Sequence, residues 1–375
     1  MKHAFDRRTD RGQSLVIVAV LMLAFFGILA VVLDGGFAYA MRRAAQNAAD
    51  AGALAGAREL CVSNGNHTTA ASVAREYAVT RNGAVVANVA INSGIVTVDV
   101  ALPFQTFLAR LFGQPGMTAA AVAAAGCFAP GAGTGVLPIA WACRPPIAGS
   151  GSDDCAILYG PAHRYIIMDS DPTEDDLYCQ DPPNSGLPAG TVDCDLDDDG
   201  FNDLLAGGDR SWLDLSGGGG GASDMRNWIR NGFPGTIEIH TWLGGQTGVA
   251  NTVYQAAASR VGDEVVIPVF DTYCDGWPPS VCPARVHAED TIVATGGTST
   301  LYFHIISFSL FHITCVDAPG VPGHCPGHDA AVAAGAIRNN TKTIEGYFVE
   351  GFAPGLDGRP SDGTDAGAWT LYLTR

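Results

Sequence analysis

Polar and apolar positions divide the chain into stretches of different period. Residues 12–33, between Arg11 and Asp34, form a 22-residue run without charge (GQSLVIVAVLMLAFFGILAVVL). About 20 helical residues at about 1.5 Å each cross a hydrocarbon core, so the run predicts one transmembrane helix over 13–33. Residues 37–60 contain no proline and are dominated by alanine, and the helix is expected to continue there past the pair Gly35-Gly36. Along it Ala45, Ala48, Gly52 and Gly56 recur at three- and four-residue steps. Such a stripe is a flat helix-packing ridge that admits a close neighbour, from the same domain or from another subunit.

Between Cys61 and Cys127 the pattern reads helix, strand, helix, strand. Residues 68–80 show an apolar face and stop at Asn82-Gly83, and residues 95–100 alternate as a half-buried strand. Pro103-Phe104 then open a predicted helix with Phe104, Phe107, Leu108, Leu111 and Phe112 on one face and Gly113 at its end, followed by a strand over 117–125. Beyond residues 131–135 (GAGTG), short apolar runs such as 165–168, 264–270, 301–311 and 346–352 alternate with Gly, Pro and Asp. They predict a mostly β domain with long loops. One helix is expected within it, SDMRNWIRN, with Ser223 as N-cap and Gly232 and Pro234 as its stop. The expected fold class is α+β: a single N-terminal transmembrane helix continuing into a long helix, a small α+β module, then a mostly β disulfide-containing domain. The divisions are 1–12, 13–33, 34–130 and 131–375.

Charge adds an orientation and removes function classes. With 21 basic and 38 acidic residues the net charge is −17, which repels phosphate backbones and argues against a nucleic-acid partner. Lys2, Arg7, Arg8 and Arg11 outnumber Asp6 and Asp10 before the apolar run, so the positive-inside rule puts residues 1–12 in the cytoplasm and the bulk of the chain outside. Ala38-Tyr39-Ala40 has the spacing of a signal cleavage site. The apolar run exceeds the roughly 7–15 residues of a signal core, however, and favours an uncleaved single-pass anchor in the cell membrane with the lipid bilayer as partner. Lys2 and Lys342 are the only lysines, and neither follows a phosphate-cradling Gly-rich loop. Gly-x-Ser-x-Gly, His-Glu-x-x-His and a strand-linked Gly-x-Gly-x-x-Gly are missing as well, so no catalytic residue, no enzyme activity and no organic cofactor are expected.

Ten cysteines, all beyond the apolar run, point to disulfides in an exported chain. Neighbours form five couples: Cys61 with Cys127, Cys143 with Cys155, Cys179 with Cys194, Cys274 with Cys282, and Cys315 with Cys325. Cys315, His324, Cys325 and His328 can also be read as metal ligands, but Pro319, Pro322 and Pro326 argue against a helix presenting them, and a disulfide with two loop histidines is favoured. Residues 169–203 hold twelve acidic and no basic side chains. Within them Asp195, Asp197, Asp199 and Asp203 stand at positions 1, 3, 5 and 9 of a loop with Gly200 at position 6, a spacing that resembles EF-hand, dockerin and thrombospondin-type calcium loops. Position 12 is Ala206, so Asp193 or Asp209 would complete the shell of a structural Ca2+.

The string RGQSLVIVAV, then Asp34-Gly35-Gly36, then RRAAQNAADA at 42–51 and ALAGA at 53–57, together resemble the N-terminal segment of the TadE/TadG-like proteins of the tight-adherence (Flp) pilus-assembly system. The resemblance is close over residues 11–60 and looser to 127. It implies a pseudopilin-like first module and a membrane-anchored structural or assembly role among other Tad pilus-assembly membrane subunits in a bacterial envelope. Two departures stand out. Gly12 is followed by Gln13, Ser14, Leu15, Val16 and Ile17, without the glutamate of peptidase-processed pilins, and Asp169-Ser170-Asp171 does not make the Asp-x-Ser-x-Ser site of a von Willebrand A domain. A second reading is a cell-surface adhesin or ligand-binding protein that works through its C-terminal β-rich domain.

Overall fold

The computed structural model describes residues 13–142, 157–170, 179–180, 192–193, 204–205, 211–217, 220–246, 250–274, 302–333, 337–357 and 363–374. The chain forms two units, Met1–Cys127 with Leu371–Arg375, and Phe128–Thr370.

In the first unit a single helix, α1, runs from Gln13 to Val62 over 50 residues, about 75 Å at the ordinary helical rise. It is long and apolar enough to cross a membrane. The large apolar side chains from Leu15 to Leu33 are exposed apart from the half-buried Leu29, whereas Ala45, Ala48, Ala49, Ala53 and Ala57 are fully buried. One helix therefore changes surroundings half-way along without a break in its hydrogen-bond ladder, and Gly35 and Gly36 do not interrupt it. The next helix, α2 (His67–Arg75), starts where the Asn66 side chain accepts the Thr68 and Thr69 N–H groups at 3.1 Å, and passes into a wider turn over Glu76–Arg81.

Three antiparallel strands complete this module: β1 (Val86–Asn92), β2 (Ile95–Gln105) and β3 (Gly116–Phe128). β1 and β2 form a hairpin whose two turn residues, Ser93 and Gly94, both have positive φ, the geometry that matches strand twist in two-residue turns. At the far edge, beside β3, lies the end of the C-terminal strand, where the Thr374 N–H donates to the Ala124 carbonyl at 2.7 Å. Two expectations need correction here. β1 was not foreseen, because its outward positions are Val, Asn and Ala in mixed order. The helix expected from Pro103 does not form: β2 runs on through Pro103 and Phe104, paired with Thr118 and Met117. β1 begins only opposite Ala101, so Pro103 sits where the strand has an open side, a position that tolerates proline. Only Ala109–Phe112 coils, as one 3-10 turn ended by Gly113 at φ 89°.

Among the described residues of the second unit, strand outweighs helix. Ile139–Ala142, Glu264–Cys274, Tyr302–Asp317, Trp242–Gln246 and Ser211–Asp214 pair in that order, and the last pairs back onto the first, which closes a ring of five strands. Thr343–Val349 pairs along the later half of Tyr302–Asp317, and Arg164–Asp169 follows it. The core is aromatic: the Tyr165 and Phe348 rings meet edge-on at 4.7 Å, with Trp141 and Phe311 against Phe348 at 5.2 and 5.0 Å. The expected helix is Ala222–Asn231, but its N-cap is Gly221 rather than Ser223, and the Asp224 carboxylate accepts the Gly221 N–H at 3.0 Å. Two further helices, Asn251–Ala257 and Pro326–Ala333, are too short to leave a clear 3.6-residue pattern. Pro326 opens the second of them, as proline does well where a helix's first N–H has no partner.

Candidate functional site

Asp34 is the first polar residue after the apolar run, and its carboxylate is buried. One oxygen accepts the Phe107 N–H at 2.6 Å, and the other accepts the Leu108 and Ala109 N–H groups at 2.9 and 2.5 Å. Burial works to raise its pKa, but the three N–H groups and the Arg110 guanidinium outweigh it and hold the carboxyl below its ordinary value. One turn on, the Phe37 ring packs edge-on against Phe104 and Phe107 at 5.4 and 5.3 Å. The end of the apolar run is thereby latched to the loop between β2 and β3, by a charge and two rings.

Farther along α1 the helix-packing ridge is occupied. Ala45, Ala48, Gly52 and Gly56 are all buried within the first unit. A Cβ at Gly52 would stand 2.9 Å from the Ala74 carbonyl oxygen and 3.3 Å from Val98, and one at Gly56 would stand 2.9 Å from both Ala74 and Val96. α2 and β2 of the same chain therefore fill the ridge at Gly52 and Gly56. A tethered neighbour is always at hand, and the absent side chains let its backbone approach.

Disulfides join Cys61 to Cys127 and Cys315 to Cys325. The second uses both sulfurs of the cysteine–histidine cluster and leaves Asp317, His324 and His328 as a group whose ligand atoms lie within 4.8 Å of one another. His324 Nδ1 is 3.1 Å from Asp317 and exposed, whereas His328 is buried on the Pro326–Ala333 helix, its Nδ1 3.3 Å from Asp329 and its Nε2 without a hydrogen-bond partner. Beside it Glu345 accepts the Gly327 and His328 N–H groups at 2.9 and 2.6 Å and the Thr343 hydroxyl at 3.2 Å. Burial nevertheless dominates there and raises the Glu345 pKa. Elsewhere in this unit His304 Nδ1 lies 2.8 Å from the Asp271 carboxylate, and the His304 ring lies against the His240 and Trp242 rings.

Asp195, Asp197, Asp199 and Asp203, with Asp193 and Asp209 as candidate completing ligands, lie outside the residues whose side chains are described. The same holds for Cys143, Cys155, Cys179, Cys194, Cys274 and Cys282.

The helix with its latched exit and filled ridge coincides with a known sequence segment. Residues 12–59 match the Tad family model, "Putative Flp pilus-assembly TadE/G-like". No curated protein and no solved structure matches the chain. The Tad match takes in all of α1 except its first-unit end at residues 60–62, and so includes both Asp34 and the ridge. The loop that Asp34 holds and the partner cysteine Cys127 lie beyond it. Sequence reading found the Tad-like segment, Asp34 within it, and its ridge, but missed what Asp34 holds, since its partners are 73 to 75 positions away.

Proposed function

We propose that this protein is a membrane-anchored, non-enzymatic structural or assembly component of a tight-adherence (Flp) type pilus system. The observation that carries the reading is the Tad match at residues 12–59 on a helix whose first half is exposed and apolar and whose second half seats a compact module. Residues 1–12 face the cytoplasm and the chain from residue 34 onward stands outside the membrane, by the charge asymmetry around the span. Because the ridge is filled from within, contacts with other Tad-type membrane subunits are made by the apolar span, whose side chains are free to pack on neighbouring helices as well as on lipid. The acidic loop around Asp195, Asp197, Asp199 and Asp203 takes a structural Ca2+ in this reading, and calcium raises the melting temperature of the second unit relative to chelator.

The test is deletion of the gene in a host that carries a tight-adherence gene cluster, followed by return of the full chain or of a form ending at residue 135. Loss of pili on deletion and their return with both forms supports an assembly role seated in the anchor and first module. Normal piliation with loss only of surface attachment would instead favour an adhesin acting through residues 136–375.

A further inference from the structure

We propose that the loop held by Asp34 is a second membrane contact, which sets Phe107, Leu111 and Phe112 into the interfacial layer of a phospholipid bilayer where α1 leaves it. The inference rests on residues 13–33 spanning the membrane.

The first observation is exposure. Phe107, Leu111 and Phe112 are 53%, 72% and 57% exposed, three large apolar side chains within six residues of one turn. The second is depth. The Asp34 carboxylate grips the backbone at Phe107, Leu108 and Ala109, and Asp34 directly follows the last apolar residue of the span. The covered face of α1 continues one turn into the apolar run, since Ala30 is only 8% exposed while Val31, Val32 and Leu33 remain largely open. The loop is therefore held level with the end of the span.

A third observation bears on the medium. Backbone brought to the edge of the hydrocarbon core is favoured when its polar groups are satisfied from within, as they must be inside that core. Besides the three N–H groups on Asp34, the Leu111 N–H donates to the Leu108 carbonyl at 2.9 Å, Gly113 to Arg110 at 3.2 Å and Gln114 to Ala109 at 3.1 Å. Arg110 in turn donates its Nε–H to the Phe107 carbonyl at 2.9 Å, which leaves a cation among the apolar side chains at headgroup depth. An apolar rim with one basic residue and a self-satisfied backbone, attached to a spanning helix, fits a lipid surface.

The full chain in nanodiscs of phosphatidylcholine and phosphatidylglycerol tests this, with an environment-sensitive fluorescent amino acid placed singly at Leu111, at Leu21 in the span, or at Val62 at the far end of α1. Lipids with a quencher high on the acyl chain should cut emission from position 111 at least about twofold and leave position 62 unchanged. If position 21 is quenched and position 111 behaves like position 62, the loop stands in water and the proposal is overturned. Blue-shifted but unquenched emission at 111 would mean a protein covers the loop, which also overturns it. Loss of quenching at position 21 removes the span itself, and the proposal with it.

Discussion

In the first unit the buried side chains are almost all alanine and valine, and α1, α2 and β2 are held by the closeness of their backbones at Gly52 and Gly56. In the second, Trp141, Tyr165, Phe311 and Phe348 fill the space between strands with rings. Each kind of core is sensitive in its own direction. A core of small residues has no room for added atoms and little to lose by truncation, whereas a core of rings loses much when one is removed.

The largest expected effect is therefore in the second unit. Phe348→Ala removes a ring that touches Trp141, Tyr165 and Phe311, and should cost about 3–5 kcal/mol. All six tryptophans lie in this unit, so its denaturant midpoint can be read from their emission. An unchanged midpoint would mean that the rings do not support one another. In the first unit the change that should hurt is enlargement: Gly56→Val is expected to cost about 1–3 kcal/mol. Gly35→Val, where a Cβ meets nothing within 4 Å, is its control and should leave the first unit unaffected. Hydrogen exchange of the α2 amides reads both, and equal protection in the two variants would refute the close-approach account.

Smaller effects come from two carboxylates of opposite behaviour. Asp34 has a lowered pKa, so its contribution is present above the ordinary carboxylate range and fades as pH falls through its lowered value. Glu345 has a raised pKa, so its contribution is complete below the ordinary range and is lost as pH rises through its raised value. Mild acidification should thus stabilise the second unit, and Glu345→Gln should flatten that slope in denaturation curves taken across pH. Asp34→Asn should do the corresponding thing at lower pH in the first unit, seen as earlier exchange of the Phe107, Leu108 and Ala109 amides. The reverse slope at either residue would count against the balance of burial and hydrogen bonds given for it.

Legibility in the sequence followed the range of the interactions. The span and the alanine helix are local patterns, as is the small-residue stripe, and the whole of α1 was readable from them. The stripe's occupant was not, because a ridge looks the same whether its neighbour is another subunit or the helix after the next turn. Asp34 appeared as the end of an apolar run and the start of Asp34-Gly35-Gly36, but its structural role did not, since that role exists through groups more than seventy positions away. The stretch from Pro103 failed differently: Phe104, Phe107, Leu108, Leu111 and Phe112 do fall at helical spacing, but pairing of β2 with β3 claims the first of them and leaves the last four for an exposed or half-exposed loop and its single turn. In the second unit the short helix at Pro326 turned on one position, where proline reads as a breaker and serves as a start.

The Cys61–Cys127 bridge joins the end of α1 to the last residue of the first stretch of that unit. A pull on the chain at Phe128 consequently passes through one sulfur–sulfur bond into α1 and on toward its apolar half. α2, the β1–β2 hairpin and most of β3 are bypassed and carry no load. Tension along the chain would then be borne by a helix and a covalent link, while the alanine-lined seat keeps its shape.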